Sequence, residues 1–406
     1  MLIQTIAASE RASFTADDIT AGITLDDAVA LLGCQVTTDD PVLIQRLLDQ
    51  PLLLGDDVMD CWQGIYWLLK QRHLLAHQRP DEIELDLPII SVGSGPSLDE
   101  SIDELRKIQK HVYISAAHSA VERLLEANIV PDFTCPVERV DPALFGMPSH
   151  PLPSQTVYCG LPIVPREPDR CQSRLCCSGA DMIYPWAGYV KGGYTASNAT
   201  GPHSVTTAAQ MTTRPIYLVG HDLVDGYRQG YPYTAPEPGE VTVPCYDGVN
   251  RPINQFRLRA RAVLEAMAPH HPLIQTSRQA AAINGIPFEG LPITYHLSTP
   301  KQVIYAGPRH PGRRLRADAL ALGLPSAFEH AAARVLGADS PQDLHPSALG
   351  GDDYAPMFGY LLRPLYSQLR ITKALVPTID TTAWFKEAFA NIIDGLIAQA
   401  EDVAHA

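Results

Sequence analysis

The sequence predicts an α/β protein: a Rossmann-like, mostly parallel sheet with helical N-terminal and C-terminal regions. Three observations carry this. Short apolar runs alternate with amphipathic stretches of helical period through the middle of the chain. One run, Ile89-Ile90-Ser91-Val92, enters the glycine-rich turn Gly93-Ser94-Gly95-Pro96-Ser97 and leaves as an amphipathic segment. Both ends of the chain show helical periodicity without strand runs.

The elements follow in order. Residues 1–85 read as a helical cap. Leu43, Ile44, Leu47 and Leu48 make one apolar stripe, and Trp62, Ile65, Trp67, Leu68 and Leu69 make another. Gln78-Arg79-Pro80-Asp81-Glu82 marks a boundary. Residues 86–295 form the α/β domain, with strands at Pro88–Val92, Val112–Ala116, Phe133–Val137, Thr156–Cys159 and Ile216–Val219. Leu98, Ile102, Leu105 and Ile108 recur at helical spacing, as do Ala120, Val121, Leu124 and Leu125. Such alternation implies parallel strands joined by right-handed crossovers, with ligands outside the strands' carboxyl ends. Residues 231–252 are rich in Pro, Gly and Tyr and too long for a plain connector, so a substrate loop or lid is expected. A helix over 253–268, a short strand Leu273–Gln275 and a turn at Ala280–Gly285 finish the domain. Residues 296–406 read as helical, ending in Trp384–Ala400.

Bulk properties narrow the function. With 31 basic and 45 acidic residues the chain carries a formal charge of −14, which argues against nonspecific nucleic-acid binding or a polybasic membrane surface. A local basic pocket from Arg251, Arg257, Arg259 and Arg261 remains compatible with that balance. No apolar run approaches the ~20 residues that span a bilayer. Met1-Leu2-Ile3-Gln4-Thr5 lacks the regions of a signal peptide. The eight cysteines are scattered, and Cys171, Cys176 and Cys177 have no second pair at zinc-ligand spacing. Reduced cysteines, a cytoplasmic location and no metal site are expected.

Four constellations could carry chemistry. In Gly93-Ser94-Gly95-Pro96-Ser97 the glycines permit a tight turn and close ligand approach, and the serines can cap a helix or donate to phosphate. The turn is neither a P-loop nor a full GxGxxG, and a strand-to-helix turn with a good cap explains it equally well. Second, the strand from Phe133 runs out into Glu138 and Asp141, carboxylates suited to a general base or a divalent metal, or simply solvated acids. Third, Ser197-Asn198-Ala199-Thr200-Gly201-Pro202-His203-Ser204 is a polar helix opening. Asn198, Thr200, Gly201 and Ser204 offer a second anion or sugar site, and His203 titrates near neutral pH. Fourth, an apolar strand ends in Gly220-His221-Asp222-Leu223, where α/β active sites gather; a turn-capping Asp222 and a structural His221 are the plainer alternatives. No GxSxG elbow is present to support a hydrolase triad.

Taken in order, Val92-Gly93-Ser94-Gly95-Pro96-Ser97-Leu98, Asn128-Ile129-Val130-Pro131-Asp132-Phe133 and Ile216-Tyr217-Leu218-Val219-Gly220-His221-Asp222-Leu223 resemble one superfamily. It contains the motility-associated (Maf) glycosyltransferases of bacterial flagellin and the archaeal MptE-type 6-hydroxymethyldihydropterin pyrophosphokinases. The similarity covers roughly residues 85–290. It implies a nucleotide-sugar-binding domain in which Gly93, Ser94, Gly95 and Ser97 line the nucleotide phosphate and Asp222 shares the cleft. Tyr246-Asp247-Gly248 and the helix after it look like the family's acceptor-side segment. The chain departs from the usual pattern in having His221 where Gln is commoner, and Glu138 ahead of Asp141-Pro142.

The leading expectation is therefore transfer of a nonulosonic, sialic-acid-like sugar from a CMP-activated donor to a hydroxyl acceptor, such as flagellin Ser/Thr or a surface glycan. The catalytic candidates are Asp222, His221, His203 and Glu138. Pro96 joins Gly93, Ser94, Gly95, Ser97, Asn198, Thr200, Gly201 and Ser204 in the nucleotide site, with Asp141, Tyr246, Asp247 and Arg251 toward the substrate. This reaction requires no cofactor. The alternatives are a Mg²⁺-dependent pterin pyrophosphokinase and a non-catalytic nucleotide-binding module. The partners implied are the donor and a protein or glycan acceptor, with no nucleic acid; homo-oligomerisation stays open.

Overall fold

The computed structural model describes residues 54–136, 152–160, 173–176, 183–189, 200–224, 241–291, 300–304, 309–362, 365, 378, 380–390 and 392–405. The described strands are β1 Ile89–Val92, β2 Tyr113–Ala117, β3 Phe133–Cys135, β4 Val157–Gly160, β5 Ser173–Cys176, β6 Ile216–Val219, β7 Val241–Pro244, β8 Asn250–Ile253 and β9 Leu273–Gln275. The described α-helices are α1 Leu54–Lys70, α2 Ser97–Ile108, α3 Val121–Glu126, α4 Ile183–Trp186, α5 Thr200–Met211, α6 Gln255–Met267, α7 Leu315–Leu336, α8 Pro346–Leu361, α9 Thr381–Ala390 and α10 Ile393–Ala404.

The chain divides into two compact units. The α/β unit comprises His73–Ala180 and Val190–Arg314. Its sheet has seven strands in the order β5-β4-β3-β2-β1-β6-β9, and every pairing is parallel. Helices cover both faces. On one, Val205, Ala208 and Met211 of α5 and Leu264 and Met267 of α6 pack on Ile89, Phe133, Ile216 and Leu218. On the other, Leu98, Ile102, Leu105 and Ile108 of α2 and Val121 and Leu124 of α3 pack on Ile90, Val92, Ile114 and Val219. Double coverage explains why the strands read as unbroken apolar runs. Two of the polar exceptions, Ser91 and Ser115, are register partners on β1 and β2.

The helical unit comprises Met1–Arg72, Asp181–Tyr189 and Leu315–Ala406. Trp62 of α1 donates to Gln399 Oε1 of α10 at 2.5 Å and meets Phe328 of α7 edge-on. Phe328 in turn meets Phe358 of α8. Arg72 Nε donates to Asp318 Oδ1 at 2.8 Å, closing this cluster with a charge-assisted bond.

The partition differs from three consecutive segments. Residues from both ends of the chain join one unit, and the boundaries fall at 72/73 and 314/315 rather than 85/86 and 295/296. The helical stripe over residues 43–48 lies outside the described residues. The excursion at 231–252 is not wholly loop: β7 and β8 form an antiparallel ribbon. Pro244 and Pro252 hid these strands from a sequence reading because proline is confined to strand edges. The strand β5 was not expected at all; its Ser173-Arg174-Leu175-Cys176 has too little apolar alternation to announce itself.

Candidate functional site

From β1 the chain builds the sheet outward through β2, β3, β4 and β5, then returns to the other side of β1 to lay down β6. The order reverses between β1 and β6, and in open α/β sheets that switch point opens a crevice at the strands' carboxyl ends. The glycine turn leaves β1 there, and Gly220-His221-Asp222-Leu223 leaves β6 beside it.

The two loops are locked backbone to backbone. Gly93 N donates to Val219 O and Gly95 N to Gly220 O, both at 2.8 Å. Gly220 N donates to Ser97 Oγ at 3.1 Å, and Ser97 N donates to Asp222 Oδ2 at 3.0 Å. A Cβ on Gly93 or Gly95 would stand 2.5 Å from Gly220 O, so the approach requires glycine at both positions. Gly220 has φ +68°, and Leu223 holds φ +56°, a left-handed conformation that costs a non-glycine residue about 1 kcal/mol or more. The N-terminus of α2 thus meets a carboxylate from this chain, and Asp222 is 2% exposed.

Beneath the loops lies a buried polar layer. His221 Nε2 and Ser91 Oγ are 3.0 Å apart, and Ser91 Oγ lies 2.8 Å from Ser204 Oγ. Ser204 Oγ donates to Gly201 O at 2.7 Å, and Ser115 Oγ donates to Ser204 O at 3.1 Å. Gln275 Nε2 donates to His221 O at 3.1 Å. Burial pushes the imidazole of His221 down to about 4, with the Ser91 contact pulling the other way, so it is neutral at pH 7. Gly201 approaches the ring so closely that a Cβ there would lie 3.3 Å from Nδ1.

A second polar strip crosses the ends of β1, β2 and β3. Ser119 Oγ donates to Ser94 Oγ at 3.0 Å. His118 Nδ1 lies 2.8 Å from Thr134 Oγ1, and its ring meets Tyr158 edge-on.

The β7–β8 ribbon adjoins the Asp222 loop. Ala281 N donates to Asp222 O at 2.8 Å, and Ala281 bridges Cys245 at the ribbon's end. Tyr246-Asp247-Gly248 is the ribbon's turn, with Gly248 at φ +81°. The Tyr246 hydroxyl donates to Ile286 O at 2.6 Å. Arg251 grips Asp247 with two bonds at 2.8 and 2.6 Å, which holds the Asp247 carboxyl down at about 2 and raises Arg251 further. Arg257 of α6 donates to Val224 O at 2.8 Å; burial lowers its pKa and the charge of Asp222 raises it.

The structure therefore brings Gly93, Ser94, Gly95, Pro96, Ser97, Gly201, Ser204, His221 and Asp222 to one sheet edge. Thr200 opens α5, and His203 is buried on the same helix. Tyr246, Asp247 and Arg251 sit on the ribbon, where the Arg251–Asp247 bonds hold the turn and the Tyr246 hydroxyl ties it to the segment after β9. Glu138, Asp141 and Asn198 lie outside the described residues, as do Cys171 and Cys177. Among the described residues no three His, Cys, Asp or Glu side chains gather to hold a metal ion. The sequence reading missed Ser91, Ser115, His118 and Ser119. A serine at the same place in two neighbouring, otherwise apolar strands was the available signal for the first two.

The family described as 6-hydroxymethylpterin diphosphokinase MptE-like matches residues 69–228, most of the sheet and both loops. No curated protein matches the chain. A solved structure with a similar fold is the MAf glycosyltransferase from Magnetospirillum magneticum AMB-1, at a TM-score of 0.53 and 16% identity. The likeness covers 84% of this chain and 60% of that one, so the chain spans less than two thirds of the length of that protein.

Proposed function

We propose that the chain is a glycosyltransferase of the Maf/MptE-like superfamily acting on a nucleotide-activated sugar, a reading supported by the MptE-like match over residues 69–228 and the fold likeness to a MAf glycosyltransferase. The observation that carries this reading is the pair of interlocked loops at the β1/β6 switch point, where α/β sheets bind their ligands. The extent of the fold likeness favours transfer of a sugar over transfer of diphosphate. It covers more of the chain than the α/β unit contains, whereas the MptE-like match is confined to residues 69–228.

In this reading the donor is a CMP-activated nonulosonic acid, and the acceptor is a hydroxyl of a protein or glycan, with flagellin Ser/Thr as one candidate. The bond between the anomeric carbon and the CMP phosphate breaks, and CMP leaves with the electron pair. The acceptor oxygen bonds to the anomeric carbon and its proton passes to a base. His221, Asp222, His203 and Glu138 are the candidates for the base, of which His221 and Asp222 also carry structural contacts, to Ser91 and to Ser97 N. Asp141, Tyr246, Asp247 and Arg251 are assigned to the acceptor side. The reaction needs no metal, whereas the diphosphokinase alternative would need Mg²⁺. No helix among the described residues is long and apolar enough to cross a membrane. A cytoplasmic enzyme, monomeric or homo-oligomeric, fits a soluble donor.

Titration calorimetry with CMP and with ATP·Mg²⁺, followed by incubation with a CMP-activated acidic sugar, tests the assignment. CMP binding and release of CMP from the sugar donor are expected. Mg²⁺-dependent ATP binding without CMP binding would replace the transferase with the diphosphokinase, and a folded sample that binds neither would remove both.

A further inference from the structure

The glycine turn is less free to bind an anion than its sequence suggests. Of its amides, Gly93 N serves Val219 O, Gly95 N serves Gly220 O and Ser97 N serves Asp222, while residue 96 is proline and has no N–H. Asp222 occupies the helix end that a phosphate would otherwise take. A ligand that bound there would have to displace a carboxylate that is 2% exposed and then face its charge.

The groups that remain lie one step to the side. Ser94 is half-buried at the mouth of the turn, and its backbone N–H makes no bond within the described protein. Ser119, also half-buried, stands on the loop after β2 and donates its hydroxyl to Ser94 Oγ at 3.0 Å. Accepting that bond leaves Ser94 with its own hydroxyl proton to give, since each serine hydroxyl carries a single hydrogen. Two adjacent strand ends of one sheet thus present a linked hydroxyl pair and an amide, all at the carboxyl edge.

We propose that Ser94 and Ser119 form the phosphate subsite of the nucleotide, with Ser94 donating from both its amide and its hydroxyl and Ser119 holding that hydroxyl in place. Gly93, Gly95 and Ser97 shape the turn and do not touch the phosphate. The proposal deepens the nucleotide-binding reading above and rests on it. It makes Ser119, a residue outside every sequence motif considered, a determinant of nucleotide affinity.

The test compares CMP with cytidine by titration calorimetry on the full chain, in wild type, Ser94→Ala, Ser119→Ala, Ser119→Thr and Ser101→Ala. The last removes a hydroxyl bonded within α2 to Ser97 O and serves as the control. Ser94→Ala and Ser119→Ala are each expected to weaken CMP binding about tenfold, the loss of roughly one hydrogen bond to a charged group. Cytidine binding should not change, and Ser119→Thr should recover most of the CMP affinity. If wild type binds ATP instead, the same comparison runs with ATP and adenosine. Wild-type CMP binding that persists undiminished in both alanine variants overturns the subsite and leaves the transferase reading standing. An equal loss for CMP and cytidine also overturns it, since the effect would then be general. A wild type that binds no nucleotide removes both.

Discussion

Gly95→Ala probes the joint between the two loops most directly. The new Cβ would stand 2.5 Å from Gly220 O and closer still to the Asp222 carboxylate, and ordinary contact begins at 3.4 Å. The start of α2 must then retreat by about 0.9 Å, which stretches Gly95 N–Gly220 O and Ser97 N–Asp222 Oδ2 beyond hydrogen-bonding range. Losing one neutral bond (about 1 kcal/mol) and one to a charged group (about 1.5–3 kcal/mol) costs roughly 2.5–4 kcal/mol. The lower entropy of the unfolded alanine chain returns about 0.4–1 kcal/mol, leaving a net loss of about 2–3 kcal/mol. All four tryptophans, Trp62, Trp67, Trp186 and Trp384, belong to the helical unit, so tryptophan fluorescence reports on the wrong part of the molecule. Amide hydrogen exchange over residues 93–108 reports on the right one, and protection there should fall about 30- to 150-fold. Gly290→Ala, with nothing within 4 Å of the added Cβ, is the control and should stay within about 0.5 kcal/mol of wild type. Protection of α2 in Gly95→Ala equal to that in Gly290→Ala would refute the close-approach argument.

Other outcomes follow from the same geometry. Asp222→Ala removes the carboxylate from the N-terminus of α2 and should destabilise the α/β unit by about 1.5–3 kcal/mol, read as lost exchange protection over α2; unchanged protection would mean the carboxylate does not cap it. His221 has a folded-state pKa of about 4, below its unfolded value of 6.5, so its contribution is present above pH 6.5 and lost as pH falls toward 4. Between pH 7 and pH 5 wild type should lose about 2 kcal/mol more than His221→Gln in parallel denaturant titrations, and identical pH profiles would contradict the burial of a neutral imidazole. Asp247 owes its depressed titration near 2 chiefly to Arg251, so in Arg251→Gln an NMR carboxyl titration should find it moved up toward 3.8. A titration unmoved by that change would show that the ribbon's turn amides, not the guanidinium, hold the carboxylate.

The alternation of Ile89–Val92, Tyr113–Ala117 and Ile216–Val219 with the amphipathic stretch Leu98–Ile108 announced a doubly covered parallel sheet, because burial on both faces demands continuous apolar strands. Glycine at 93 and 95 announced close approach, since only a residue without Cβ tolerates it, and the structure adds Gly220 as their counterpart. The sequence did not show what approaches what. The turn looked like a cradle for a foreign anion, and its amides instead meet Val219, Gly220 and Asp222. Tyr246 and Asp247 looked like an acceptor-side loop; the structure adds that Asp247 is bonded by Arg251 across the hairpin turn and Tyr246 by its hydroxyl to Ile286 O after β9. The serines of β1 and β2 went unread because their meaning depends on lying side by side and under α5.

By itself, then, the sequence determined the class of fold and the turn whose glycines allow close approach. These follow from local periodicity and from the absence of side chains, properties each segment carries alone. Tertiary structure decided that Asp222 caps α2, that His221 is neutral above Ser91, and that Ser119 stands beside Ser94. Those outcomes join residues 25 to 130 positions apart, and they depend on the strand order around β1, which no local pattern encodes.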